Sequence, residues 1–160
     1  MKKREIISTA VTLEELKTHL RIANNVFDVD LEGKLRAAHY AVEHHIGQVM
    51  MKSRFEESME FTGVQMLRYP VNEVEAVTLN GTDIPYTITD EGMLVIPGVH
   101  TGTLAVRYVS GSDEVNDDIK IAIMMIAADM FNNPVDRVET MPRASQMLLR
   151  PYRRYESNGR

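Results

Sequence analysis

Apolar residues recur at helical spacing in the first third of the chain. Thr12-Leu13-Glu14-Glu15 fits a capping box, in which the threonine and the second glutamate bond reciprocally to each other's backbone amides, and it predicts a short helix. After a loop at residues 23–27, Asp28 or Asp30 is expected to cap a longer helix that ends at Gly47. The apolar positions of that helix share one face: Leu31, Leu35, Ala38, Val42 and Ile46. The two helices are expected to form an antiparallel pair.

The pattern changes after Gly47 to short runs typical of strands. Phe55, Met59 and Phe61 lie two or four residues apart, as on one face of a strand. Further runs cover residues 74–79, 86–89, 93–96 and 103–109, and turn signals separate them. Asn80-Gly81 predicts a tight hairpin turn, because both residues tolerate a positive φ. Residues 49–110 are therefore predicted to form a small antiparallel β-module of about five or six strands.

A helical pattern returns at Asn116 or Asp117 and runs to about Asn132. Eleven of the thirteen residues from Ile119 to Phe131 are apolar, and a helix that is apolar almost all round must be covered on nearly all sides. We therefore expect it to pack between elements or between subunits, through Ile119, Ile123, Met124, Ile126 and Met130. A last short helix is predicted from Pro142 to Leu149, and Arg150-Pro151 should end it.

These elements predict an α+β fold. An α-helical core of about four helices (residues 1–48 and 111–149) would carry the β-module (49–110) as an insertion and end in a basic C-terminal tail (150–160). The length of 160 residues, the 44% apolar fraction and the 26% charged fraction are ordinary for a globular protein. No apolar run is long enough to span a bilayer, and the basic start lacks the apolar stretch of a signal peptide. A soluble protein that is not secreted and does not bind membranes is expected.

Charge is distributed unevenly along the chain. The net charge is −5, but residues 137–160 carry six arginines and two glutamates, or +4, which leaves −9 for the rest. An acidic body with a basic end suggests that the end meets an acidic partner, although a solvated terminus would have the same composition. The residues at this end that combine charge with aromatic area are Arg150, Tyr152, Arg153, Arg154 and Tyr155.

Candidate chemistry is sparse. His39, Glu43, His44 and His45 could supply metal ligands in principle, but His44 and His45 point about 100° apart on a helix. Ser110 and Ser112 flank a glycine at a predicted turn, and Asp117-Asp118 suits a helix N-terminus. The absence of cysteine excludes disulfides and thiol catalysis, and no nucleotide-binding glycine loop is present. We expect no catalytic, metal or cofactor site, and therefore no enzyme.

Four motifs follow one another along the chain: the opening Val11-Thr12-Leu13-Glu14-Glu15-Leu16-Lys17-Thr18-His19-Leu20-Arg21-Ile22, the Leu31–Gly47 pattern, residues 117–123 and residues 147–153. In this order they resemble the head–tail connector (adaptor) proteins of tailed bacteriophages. The motifs correspond to the family's start, its second helix, the start of its third helix and its close. Longer members carry a β-insertion. The end of the third helix, Phe131-Asn132-Asn133-Pro134, departs from the family pattern.

The resemblance implies a structural virion protein and no cofactor. It implies a ring of about a dozen copies at the neck, between capsid and tail, assembled in the host cytoplasm. Such a ring would bind the portal protein and a tail, stopper or tail-completion protein. Genomic double-stranded DNA would pass through its lumen without sequence readout. The acidic body favours this passage, because a negatively charged wall repels the phosphates of DNA. The fold itself is expected to make little use of the basic tail, Arg150 and Tyr152–Tyr155, so the tail should be flexible in the isolated subunit. It would then order against the portal when the connector docks.

Three other interpretations remain open from the sequence. One is a DNA-binding packaging or regulatory factor that acts through its basic termini, which needs a positive stripe on a folded surface. Another is an enzyme whose dispersed polar residues converge in a pocket. The third is a β-sandwich recognition module with helical flanks.

Overall fold

The computed structural model describes residues 2–98, 100–112, 114–133 and 141–154, which fall into two compact units. The sheet unit comprises Met1–Ser8 and Met51–Asp113, and the helical unit comprises Thr9–Met50 and Glu114–Arg160. The α+β class with an inserted antiparallel module is confirmed. Residues 2–8, however, belong to the sheet unit, whereas the sequence placed them in the helical core.

Within the described residues, the sheet unit contains two antiparallel sheets. The larger has the order β1-β2-β8-β4-β5, and the smaller has the order β3-β7-β6. The strands are β1 Lys2–Ile6, β2 Ser53–Phe61, β3 Val64–Met66, β4 Val71–Leu79, β5 Thr82–Asp83, β6 Thr87–Ile88, β7 Met93–Val95 and β8 Gly102–Ser110.

Alternation of side chains gives the larger sheet one buried face. Phe55 and Phe61 of β2 and Leu104, Val106 and Tyr108 of β8 are buried, as the period of two along a strand requires. The residues between them are more exposed and include ion pairs, such as Arg54 with Glu75 and Arg107 with Glu56. The predicted turn at Asn80-Gly81 is confirmed: φ is 52° and 80°, and Leu79 pairs directly with Thr82.

Strand β1 has a sequence that does not predict a strand. Lys2-Lys3-Arg4-Glu5 shows no alternation of apolar and polar residues, yet it pairs antiparallel with β2 in register Lys2↔Glu57 to Ile6↔Ser53. Polar contacts hold its inward side chain: Arg4 Nε donates to Ser53 Oγ at 3.0 Å, and its guanidinium carbon lies 5.3 Å from the Phe55 ring centroid. These partners lie about fifty positions away in the sequence, so no local sequence pattern predicts the strand.

Four α-helices lie in the described part of the helical unit. They are α1 Leu13–Leu20, α2 Asp28–Ile46, α3 Asp117–Asn132 and α4 Arg143–Leu149, and a 3₁₀ turn, Arg150–Tyr152, follows α4. The capping box is confirmed: Thr12 Oγ1 accepts from Glu15 N, and Glu15 Oε2 accepts from Thr12 N at 2.7 Å. This backbone hydrogen bond is the main cause that lowers the pKa of Glu15.

The two ends of α2 differ in how well the sequence predicts them. Gly47 ends the helix in the left-handed conformation, φ 70°, as expected. The predicted aspartate cap is wrong, because the N-cap is Phe27 and makes no side-chain hydrogen bond. Asp28 and Asp30 lie in the first turn instead, where their carboxylates pair with Lys17 and Lys34.

The helical unit has a continuous apolar core to which every helix contributes. Leu16 of α1, Leu35 of α2 and Leu149 of α4 pack there with a stripe along α3. The buried α3 residues are Ile119, Ala122, Ile123, Ile126 and Ala127. Of the two arrangements expected for α3, packing between elements accounts for these five residues, because the subunit's own helices bury them. Ile121, on the same helix, is 41% exposed.

Candidate functional site

The beginning of the basic tail is attached to the C-terminal end of α2. Arg154 N donates to Ile46 O at 2.7 Å, and Gln48 Nε2 donates to Tyr152 O at 2.7 Å. A side chain at Gly47 would bring its Cβ within 3.3 Å of Arg154 O, so the glycine also leaves room for this contact. The last turn of α2 thus has partners for backbone groups that a helix end otherwise leaves unsatisfied.

Tyr152 anchors this segment to a second helix. Its ring packs against the apolar core, and its hydroxyl donates to Asp118 Oδ2, in the first turn of α3, at 3.3 Å. Arg150 and Arg153 are exposed, and Arg154 is half-buried. Tyr155 lies outside the described residues. The expectation that the fold makes little use of this segment is wrong for residues 150–154, because backbone and side-chain contacts fix them.

The arrangement presents arginines from a fixed backbone. Residues 150–154 lie where a helix C-terminus, with its partial negative charge, favours nearby cations. Arginine combines a permanent charge with a planar donor fork that suits carboxylates and phosphates, and its stem adds apolar contact area. This surface can bind an acidic partner.

The predicted packing residues of α3 divide into two sets. Ile119, Ile123 and Ile126 are at most 3% exposed and belong to the subunit's core. Met124 and Met130 are partly buried and pack against that core from outside. The three isoleucines therefore stabilise the subunit itself.

Two members of the histidine cluster, His39 and Glu43, serve the fold. His39 is buried, its Nε2 accepts from Val11 N at 3.1 Å, and its Nδ1 lies 2.8 Å from Leu35 O. The first contact requires an unprotonated Nε2, so Nδ1 carries the proton and donates. Glu43 is also buried, and its Oε1 accepts from Met50 N at 2.8 Å. Among the described residues, no group of three or more histidine or acidic side chains is arranged to hold a metal ion.

His39→Ala is expected to lower the free energy of unfolding by about 2–3 kcal/mol, because Val11 N would lose its buried acceptor and a small cavity would remain. His44→Ala, at an exposed position of α2, should change it by less than about 0.5 kcal/mol. Urea unfolding of both variants measures the difference. A rise in the melting temperature of the wild type on adding Zn²⁺, absent from His39→Ala, would instead indicate a metal ligand.

Ser110, another of the polar candidates, also has a structural role. Ser110 is fully buried, and its Oγ donates to Arg68 O at 2.7 Å. In the sheet unit, the sequence gives no signal of a cluster around Tyr108, whose ring stacks on Phe55 with centroids 5.4 Å apart. Glu57, 4% exposed, accepts from Arg68 Nε at 3.2 Å nearby. Burial raises the pKa of Tyr108 well above its ordinary value.

The family of this chain follows from a match over most of its length. The sequence profile of the family described as "Phage gp6-like head-tail connector protein" matches residues 10–153, which includes all of the helical unit's described elements and most of the sheet unit. The chain belongs to this family. A head–tail connector is a structural protein of the virion, positioned where head meets tail, and the family is not a class of enzymes.

Solved structures resemble the connector over its whole length. A chain in the neck of an empty gene transfer agent particle, computed with C6 symmetry, aligns with a TM-score of 0.78 and 20% identity. The alignment covers 99% of this chain and 98% of that one. A chain in the neck of the native particle, computed with C12 symmetry, aligns at 0.77 and 19% identity, covering 99% and 98%. At these identities, the likeness establishes a shared fold.

One further comparison and one property of the helices bear on the connector. Comparison with curated protein sequences finds no match. Over the ranges that the structure describes, no helix combines the length and the apolarity that crossing a bilayer requires.

Proposed function

We propose that this connector forms a ring of about a dozen subunits that joins the portal vertex to the tail or stopper and continues the DNA channel. The observation that carries the proposal is the family match over residues 10–153. The fold shared with a neck chain from a C12-symmetric particle supports the ring. The charge of −9 on residues 1–136 favours a channel through which DNA slides, because an acidic wall does not hold phosphates.

The proposed portal contact lies at the C-terminal segment. Arg150, Tyr152, Arg153 and Arg154 are attached to α2 and α3, and Tyr155 follows them. A surface fixed before binding loses less conformational entropy than a disordered tail would. Repetition around a ring then multiplies weak contacts through effective concentration. The sheet unit would be available for other partners, for which the tail and stopper proteins are the candidates.

The DNA-binding alternative has less support. It relies on the basic termini, but two of the N-terminal cations are engaged within the sheet unit. Arg4 contacts Ser53 Oγ, Met51 O and the Phe55 ring, and Lys2 Nζ lies 3.9 Å from Glu57 Oε1. Glu5, on the same strand, also interrupts the positive charge along β1.

Arg150→Glu is expected to weaken binding to the portal at least about tenfold without lowering the melting temperature, because Arg150 is exposed and charge reversal at an interface replaces attraction by repulsion. Arg153→Glu should weaken portal binding in the same direction. Arg36→Glu changes the charge equally at an exposed position of α2 and should leave binding unchanged. Co-sedimentation of the purified connector with portal measures these differences.

The same variants separate the two functions. If the connector is a portal-binding ring, neither variant alters a DNA mobility-shift assay. Salt-dependent DNA binding that both tail variants abolish, with portal binding intact, would favour the packaging or regulatory factor instead.

A further inference from the structure

The loop between α1 and α2 is held tightly although it exposes apolar side chains. Lys17 is 5% exposed, and its Nζ lies 2.7 Å from Asn25 Oδ1 and 2.9 Å from Asp28 Oδ1. A buried ammonium is costly unless it is paired in this way, so these contacts fix the loop conformation. The same loop and helix start leave Val26 80% and Val29 86% exposed. A fixed loop with exposed valines is typical of a surface that another protein covers.

These valines border a groove on the helical unit. The groove has a volume of about 590 Å³, and its apolar and small lining residues come from the loop, from α2 and from α3: Val26, Val29, Gly33, Ala37 and Met130. Asp30 and Lys34 also line it and pair with each other. The lining is therefore mostly apolar, and its two charged side chains neutralise each other.

Gly33 has no role in the subunit's own packing. A Cβ placed on it would meet nothing within 4 Å, and it lies within α2 without a positive φ. Glycine inside a helix is less stable than alanine, because it loses more backbone freedom on folding. Its presence in the lining of an exposed apolar groove is explained if an incoming side chain needs the space.

A complementary surface exists elsewhere on the same unit. Met147 of α4 is 76% exposed, and Ala144, one turn earlier, is also exposed. The turn that follows α4 is hydrogen-bonded to residues at the C-terminal end of α2. The groove uses the N-terminal half of α2, a helix of 19 residues that is about 28 Å long. The groove and the turn after α4 therefore lie towards different ends of α2.

We infer that the groove of one subunit receives Met147 and the exposed side of α4 of the adjacent copy. This inference rests on the proposed ring. Two different patches that fit each other give a heterologous contact, and repetition of that contact by rotation closes a ring. Arg143, one turn before Met147, is exposed and can approach the half-exposed carboxylate of Asp30 across the contact. Methionine suits such a site because its flexible side chain fills irregular space.

The first experiment fills the groove. Gly33→Leu should abolish assembly of the full chain, as seen in its sedimentation coefficient, while its melting temperature stays at or above that of the wild type. Glu32→Leu adds a similar side chain at the next position, outside the groove lining, and should assemble normally. Normal rings from Gly33→Leu would overturn the inference. Rings that form normally but no longer bind portal would assign the groove to portal docking, which also overturns it.

The second experiment tests the two patches together. Met147→Glu alone should also remain monomeric. In an equal mixture of the two variants, the intact Met147 of Gly33→Leu can enter the intact groove of Met147→Glu. Native mass spectrometry should therefore detect dimers that neither variant forms alone. A mixture that stays monomeric would contradict the heterologous contact.

A third measurement applies even where the purified wild type does not assemble spontaneously. The chain has no cysteine, so Val29→Cys combined with Met147→Cys introduces the only thiols. Oxidation should give a ladder of linked subunits, whereas either single variant should give none. Wild-type rings without a ladder would overturn this inference alone. The absence of both rings and a ladder would count against the proposed ring as well.

Discussion

Ile123→Asp is expected to unfold the helical unit. Ile123 is fully buried among the core residues of that unit, and an aspartate there would have to be buried without a partner or be protonated. The loss should be at least about 4 kcal/mol, enough to leave the protein insoluble or unfolded at 25 °C. Circular dichroism and solubility after expression measure the effect.

Ile121→Asp is the matched control for this change. It lies two residues earlier on α3 and is 41% exposed, so the same charge would be solvated. Its stability should stay within about 1 kcal/mol of the wild type. Equal damage from both variants would mean that the effect comes from helix propensity or charge rather than from burial.

Tyr108→Ala is expected to destabilise the sheet unit by about 3–5 kcal/mol, because it removes a fully buried aromatic ring and its stacking on Phe55. Tyr108→Phe keeps the ring and removes only the hydroxyl, which accepts from Arg68 N at 3.2 Å. This second variant should cost about 1–2 kcal/mol. Urea unfolding measures the free energy of unfolding of both variants. Similar losses from both would show that the ring itself contributes little to stability.

The pH dependence gives a separate check on Tyr108. Burial raises its pKa in the folded protein, so folding favours the neutral phenol. This contribution is fully present below the unfolded pKa, about 10, and decreases as pH rises above it. The free energy of unfolding of the wild type should therefore fall more steeply above pH 10 than that of Tyr108→Phe.

The sequence predicted best those features whose cause is local. The capping box at Thr12, the left-handed Gly47 and the Asn80-Gly81 turn all depend on residues within a few positions of each other. The ends of α3 follow from a mostly apolar run between acidic residues and Asn133. Each is confirmed because short-range geometry alone determines it.

The errors arose where a distant partner decides the outcome. Asp28 is an ordinary cap candidate, but Lys17 draws its carboxylate into an ion pair. Strand β1 is recognised only from its partners on β2, and the fixed tail only from Ile46, Gln48 and Asp118. The resemblance to connectors predicted the function although the sequence predicted none of these contacts. The portal-docking role of the tail residues stays a prediction.

The pairing of β1 with β2 determines how the two units can be exchanged between connectors. The chain passes from one unit to the other after Ser8, after Met50 and again after residue 113. Excision of residues 51–113 alone would leave Lys2–Ile6 without a neighbouring strand and expose backbone groups that now bond to β2. A chimaera that transplants the sheet unit must therefore carry the first eight residues with it, and an affinity tag is better placed away from this edge strand.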